Sequence, residues 1–157
     1  MSNTNPGQVQ SIETLEIRRD IEIQAPIDIV FQTVLDQMST ECEMPDGKPY
    51  PMKLEPWPGG RWYRDLGNNT GHLWGHVQVI KPPTLVEIWG PLMMSYPAVN
   101  HLQYRLKADQ DKTRLEFLHR GMGAILPDHR EGMPKGWTYW VQRIAEVAQR
   151  RSRKQTM

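Results

Sequence analysis

The sequence contains one cysteine, Cys42, and only two phenylalanines. A lone cysteine excludes an intrachain disulfide and fits a reducing compartment. It stands between Glu41 and Glu43, whose charges oppose thiolate formation, so a cysteine nucleophile is not expected. Excess charge of one sign is missing too. Lys and Arg number 19 against 18 Asp and Glu, a formal net charge of +1, so no broad field draws in nucleic acid or an anionic membrane. No apolar run nears the ~20 residues that a membrane-spanning helix needs. Met1 to Gln10 lack the basic and apolar segments of a secretion leader, and the expected location is the cytoplasm. There is no internal repeat, no G-x-S-x-G elbow and no glycine-rich phosphate loop.

What remains is the balance of a folded domain, with 38% apolar and 24% charged residues in 157, a length that suits one domain. Six tryptophans, nine methionines and thirteen prolines stand out, and tryptophan supplies much of the bulk that phenylalanine lacks. Residues 1–11 read as a disordered tail, 12–150 as a single domain and 151–157 as a basic, solvated tail.

Periodicity orders the domain. From Ile12 to Gln24 the chain alternates. Leu15, Ile17, Ile21 and Ile23 share one phase, and Glu16, Arg18, Asp20 and Glu22 the other, as in a half-buried strand. Arg19 breaks the rule by standing in the apolar phase. After Ala25 and Pro26, the residues Ile27, Val30, Phe31, Val34, Leu35 and Met38 form a helical stripe. Pro26 suits a first helical position, and Asp28 complements the positive end of the dipole. Residues 39–60 hold five prolines and three glycines, which predicts an irregular loop. Strands are expected over 60–66, 72–80, 85–89, 99–107 and 113–120, separated by turn residues such as Gly67-Asn68-Asn69 and Pro82-Pro83. The stretch 121–135, with three glycines and two prolines, reads as a loop. From Gly136 a broad apolar stripe returns in Trp137, Trp140, Val141, Ile144, Val147 and Ala148. The predicted fold is α+β of the helix-grip kind: a curved antiparallel sheet of about six strands around a long C-terminal helix, with a short helix after the first strand.

Several short pieces in this order resemble the START-like (SRPBCC) superfamily, in the branch of the C-terminal domain of activator of Hsp90 ATPase homologues. They are Ala25-Pro26 with Asp28, Val30 and Phe31; Pro58-Gly59-Gly60-Arg61-Trp62; Gly71 and Gly75 with Val77; Pro82-Pro83 with Leu85 and Trp89; Thr113, Leu115, His119 and Gly121; and Gly136-Trp137. The chain departs from the branch in carrying Phe31 where Trp is common and a longer insertion from Met44 to Trp57. These 157 residues also hold no counterpart of the N-terminal domain by which a co-chaperone grips its chaperone.

The resemblance implies an apolar cavity between sheet and helix. The strand and helix phases nominate its walls: Trp62, Leu66, Leu102, Tyr104, Phe117 and His119 from the sheet, and Trp137, Trp140, Val141 and Ile144 from the helix. Met93 and Met94 are nominated as an adaptable rim. Arg19 and His119 are the inward polar exceptions. Each either fixes a ligand's carboxylate or carbonyl or is satisfied by the protein itself, Arg19 by reaching water and His119 through a backbone carbonyl. His72 and His76 lie ~13 Å apart on a strand and cannot share a metal. Neither metal nor cofactor is expected. The leading expectation is binding of a small hydrophobic or amphipathic molecule by a monomer or homodimer. The alternatives are a cyclase-like enzyme using His119 as acid and base, and a co-chaperone-like interaction protein that acts through its surface.

Overall fold

A computed structural model describes residues 11–155, so the tail expected at 1–11 lies, except for Ser11, outside the described residues. Seven strands and two helices follow in the order β1 (Glu13–Ile23), α1 (Ile27–Met38), β2 (Lys53–Leu54), β3 (Arg61–Gly67), β4 (Thr70–Lys81), β5 (Leu85–Gly90), β6 (Ala98–Asp109), β7 (Lys112–Gly123) and α2 (Pro127–Gln155). The strands form one antiparallel sheet ordered β1-β7-β6-β5-β4-β3-β2. Short turns pair neighbours in sequence, while β1 joins the far side by pairing with β7. This is the α+β helix-grip architecture, with one short strand, β2, more than expected.

The register explains why one face is apolar. Tyr104 of β6 lies opposite Phe117 of β7, and Phe117 opposite Arg19 of β1. The next row runs Ile88, Leu102, His119, Ile17 across β5, β6, β7 and β1. Period two keeps these rows on one side, and all but Arg19 are buried. Helix α2 covers them with Met133, Trp137, Val141, Ile144 and Ala148, a stripe at helical spacing.

Helix α2 begins at Pro127, nine residues before the expected start at Gly136. Gly132, Pro134 and Gly136 speak locally against a helix there. Tertiary bonds override them. Arg130 donates to the Glu13 carboxylate and the Thr14 carbonyl, both at 3.0 Å. Arg19 donates to the Pro134 carbonyl (2.8 Å) and to Thr138 Oγ1 (3.0 Å). The helix also runs on to Gln155, so residues 151–155 are its last turn and not a free tail. Arg151 there meets Asp36 at 2.9 Å and grips both oxygens of Glu41 at 2.9 and 2.8 Å. That bidentate clamp joins α2 to the end of α1.

Between β3 and β4 the pairing shifts: Trp62 faces Gly75, Tyr63 faces Leu73, and Trp74 falls between them as an extra residue. Such a bulge turns a side chain that strict alternation would send outward. Trp74, which alternation with His72 and His76 would point outward unless a bulge turned it, is accordingly only 7% exposed. The bulge also presses β4 against β5. A methyl group on Gly75 would lie 2.6 Å from the Trp89 carbonyl oxygen, too close for any side chain. Gly75→Ala is expected to destabilise the fold by about 1–3 kcal/mol, measured as a lower urea midpoint with unchanged slope; a wild-type midpoint would show that the two strands can part freely.

Candidate functional site

The side chains closing off the space between sheet and α2 leave a small void of about 40 Å³, bordered by Gln37, Met38, Cys42, Met44, Tyr50, Trp62, Trp74, Leu92, Met93, Tyr104, Trp137, Trp140 and Ile144. Six of the nominated residues border it: Trp62, Met93, Tyr104, Trp137, Trp140 and Ile144. Leu102, Phe117 and Val141 lie in the packed core beneath and do not border the void. Met94 is also buried instead of forming a rim. Leu66 is 65% exposed. The register of β3 is shifted between Asp65 and Gly67, so a phase counted from Trp62 no longer holds at Leu66.

Arg19 and His119 are both spent inside the protein. Each of the three Arg19 guanidinium nitrogens donates within the protein, to Thr138, Arg18 and Pro134, a strut between β1 and α2. His119 is completely buried. Trp137 donates its indole N–H to His119 Nδ1 at 3.0 Å. That nitrogen therefore carries no proton, and Nε2–H donates to Asn100 Oδ1 at 2.7 Å. The Asn100 amide donates onward to the carbonyls of Gly90 and Pro91, each at 3.3 Å, and to Met94 Sδ at 3.4 Å. The expected backbone partner of His119 is thus replaced by two side chains.

The part of the wall hidden in the sequence comes from 39–52. This segment has no strand or helix, as expected, but turns and an isolated bridge of Glu43 with Pro49 organise it. Tyr50 N donates to the Cys42 carbonyl (2.8 Å), Met52 N to Ser39 (2.9 Å) and Met44 N to Lys48 (2.9 Å), which folds it into a hairpin-like strap across the mouth of the void. Glu43 latches it to α2. Its carboxylate accepts from the Tyr139 hydroxyl, its carbonyl accepts from Trp140 Nε1 at 2.8 Å, and Arg143 Nε sits 3.3 Å from its carboxylate as an ion pair. That Arg143 N–H lacks hydrogen-bond geometry, so the contact is Coulombic and adds little direction. Trp140 reaches this position because Gly136 leaves room: a methyl there would come within 2.8 Å of the Trp140 ring.

Electrostatically the wall is neutral. Among the described residues no Asp, Glu, Lys, Arg or His borders the void. Burial pushes the Cys42 thiol up to about 11, Arg64 offsetting and Glu43 adding to the effect, so it stays protonated. Burial likewise drives the Tyr104 phenol far above its ordinary value. Cys42 and Tyr104 therefore present uncharged groups and nothing ionised. Of the four tryptophans around the void, Trp62 donates to the Met38 carbonyl (2.7 Å), Trp137 to His119 and Trp140 to Glu43. The Trp74 N–H is buried without a partner.

Two predictions follow from this geometry. Burial lowers the His119 pKa from 6.5 to about 4. The unfolded chain then binds the proton more tightly, so this contribution to stability is complete above pH 6.5 and is lost as pH falls toward 4, in total about 3 kcal/mol. Urea titrations at pH 7, 5.5 and 4 should show the loss, and His119→Gln should flatten it; an equally steep slope in the variant would assign the effect to other groups. Glu43→Ala should free the strap, raising amide exchange at Met44, Tyr50 and Met52 by about tenfold or more while amides of β6 and β7 are unchanged. Unaltered exchange in the strap would mean that its own hairpin bonds suffice.

Comparison with known proteins adds the following. The family model of the Activator of Hsp90 ATPase homolog 1-like proteins matches residues 24–149. A structure of an uncharacterised protein from Rhizobium leguminosarum superposes with a TM-score of 0.68 at 15% identity, covering 91% of this chain and 99% of that one. CalU16 from Micromonospora echinospora superposes at 0.56 and 19% identity, covering 88% and 84%. DynU16, a protein of the dynemicin biosynthetic locus, superposes at 0.58 and 15% identity, covering 83% of this chain and 46% of that one. At these identities the structural likenesses carry the fold alone. No curated protein sequence matches. No described helix is long and apolar enough to cross a membrane.

Proposed function

We propose that this chain, which belongs to the Activator of Hsp90 ATPase homolog 1-like family, binds a small hydrophobic or amphipathic molecule between its sheet and C-terminal helix. The observation that carries the reading is the composition of the cavity wall. Aromatic rings and thioethers surround the void, and no ionised side chain borders it. Such a wall gains by removing apolar surface from water and has little to offer a highly charged molecule.

The void is much smaller than the ~300–1,000 Å³ of pockets that hold drug-sized ligands. Binding therefore requires the wall to move. Met44 and Met93 are half-buried at its edge, and thioether side chains readily change shape. The strap from Ser39 to Met52 is held to α2 at two carboxylates, Glu43 by Tyr139 and Arg143 and Glu41 by Arg151. Opening it would widen the space, and its tie to the sheet is the Arg64 bond to the Pro51 carbonyl. Burial of ~300 Å² of ligand surface would contribute about 7 kcal/mol gross, and association costs reduce this to a micromolar expectation.

The wall supports carriage over turnover. The histidine that a cyclase-like reaction would use has both ring nitrogens bonded within the core, and burial holds it neutral. Cys42 and Tyr104 are poor bases for the opposite reason, because burial keeps their protons on. A role as a carrier in small-molecule metabolism agrees with DynU16 belonging to a biosynthetic locus.

A thermal-shift screen of neutral lipophiles tests the reading. A ligand at ten times its dissociation constant should raise the melting temperature by about 3–6 °C, and Met93→Trp, which fills the edge of the void, should abolish the shift while leaving the unliganded protein folded. Absence of any shift across the screen, together with a bare mass in native mass spectrometry, would remove the binding reading.

A further inference from the structure

Resting on the cavity reading above, we infer that the molecule taken up is a flat, uncharged aromatic bearing a carbonyl-type oxygen, and that this oxygen accepts the indole N–H of Trp74. The inference begins with the four tryptophans around the void. Three have their N–H groups bonded by the protein, to Met38, His119 and Glu43. The fourth, Trp74, is buried and unbonded. Buried donors are almost always paired, and an unpaired donor on a residue that borders a cavity is the one a ligand entering there can satisfy.

The position of Trp74 is built, not incidental. The bulge at Trp62 and Tyr63 inserts it as the extra residue of β4. Its ring is then held edge-on against Trp62 at 5.2 Å and tilted against Tyr50 at 6.0 Å. Both neighbours also line the void. The packing fixes the plane of the indole and hence the line along which its N–H can donate.

The rest of the wall sets the chemical class. Burial keeps Cys42 and Tyr104 protonated, so both can donate, as can Trp74; Gln37 and Tyr50 also border the void and can donate or accept. The complement of a donor is an acceptor. No cation borders the void to neutralise a carboxylate or phosphate. The nearest guanidinium, Arg64, lies over the Tyr50 ring at 4.0 Å and donates to the Pro51 carbonyl at 2.6 Å. A cationic ligand would meet the positive end of the Trp74 N–H dipole. A neutral acceptor satisfies the site, and aromatic walls favour a flat partner that stacks against them.

The matched pair 9-fluorenone and fluorene isolates the claim, because the two share a planar skeleton and differ by a carbonyl in place of a methylene. Equilibrium dialysis against the full chain should show fluorenone bound about tenfold more tightly than fluorene. Trp74→Phe, which removes the N–H and keeps a ring, should bring fluorenone to within about twofold of fluorene measured on the same variant. A second measurement does not depend on the variant folding. In the wild-type protein, the indole N–H resonance of Trp74 should move downfield with fluorenone and not with fluorene. Equal binding of both compounds, or an unmoved Trp74 resonance with fluorenone bound, overturns the acceptor inference and leaves the cavity reading standing. Binding of neither compound up to its solubility limit overturns both.

Discussion

The chain of hydrogen bonds from Trp137 through His119 to Asn100 holds the two layers of this protein in register. It begins on α2, crosses β7, enters β6 and ends on the β5–β6 connection at Gly90 and Pro91. Apolar packing alone resists separation of helix and sheet but permits sliding, because it has no direction. A buried histidine with both nitrogens committed has direction, and breaking either bond leaves an unsatisfied group in the interior. The cavity wall inherits this order. Trp137 is both the donor at one end of the chain and a wall residue, and Trp140, one turn on, packs against it at 5.2 Å.

The two sides of the cavity are held by different means. On the sheet side, Trp62, Tyr104 and Trp74 sit on strands paired along their length. On the outer side a strap with few backbone bonds depends on Glu43 and on contacts with α2. Rigid strands and a lightly held strap divide the labour: one fixes the geometry of recognition, the other admits change. The Arg151 clamp on Asp36 and Glu41 limits that change to the strap, because it pins the end of α1 from which the strap departs.

The fold was legible in the sequence because its signals were local and repeated. The alternation in β1, the stripe in α1 and the stripe from Trp137 to Ala148 each follow from one-sided burial, and so does the order of the strands. The cavity was legible only where these periods stayed unbroken, as at Tyr104, Trp137 and Ile144. It failed at the irregularities. One bulge turned Trp74 inward, and another sent Leu66 to the surface. Neither shift has a signature in the residue pattern, because a bulge is a decision taken between two strands. The strap was hidden by its prolines, and the first turns of α2 by Gly132, Pro134 and Gly136. In both places side-chain bonds from distant residues overrule local preference. Arg19 was legible as an exception but not as a strut, since its partners lie more than a hundred residues away.

The pairing of β1 with β7 has a consequence in time. Glu13 meets Gly123 and Ile23 meets Thr113, so the first strand to be synthesised waits for nearly the last. At translation rates of about 5–20 residues per second the wait is on the order of 5–20 s. Throughout it the apolar edge of β1 has no partner. The alternating charges of Glu16, Arg18, Asp20 and Glu22 on the opposite face of β1 suit an early strand that must wait for its partner.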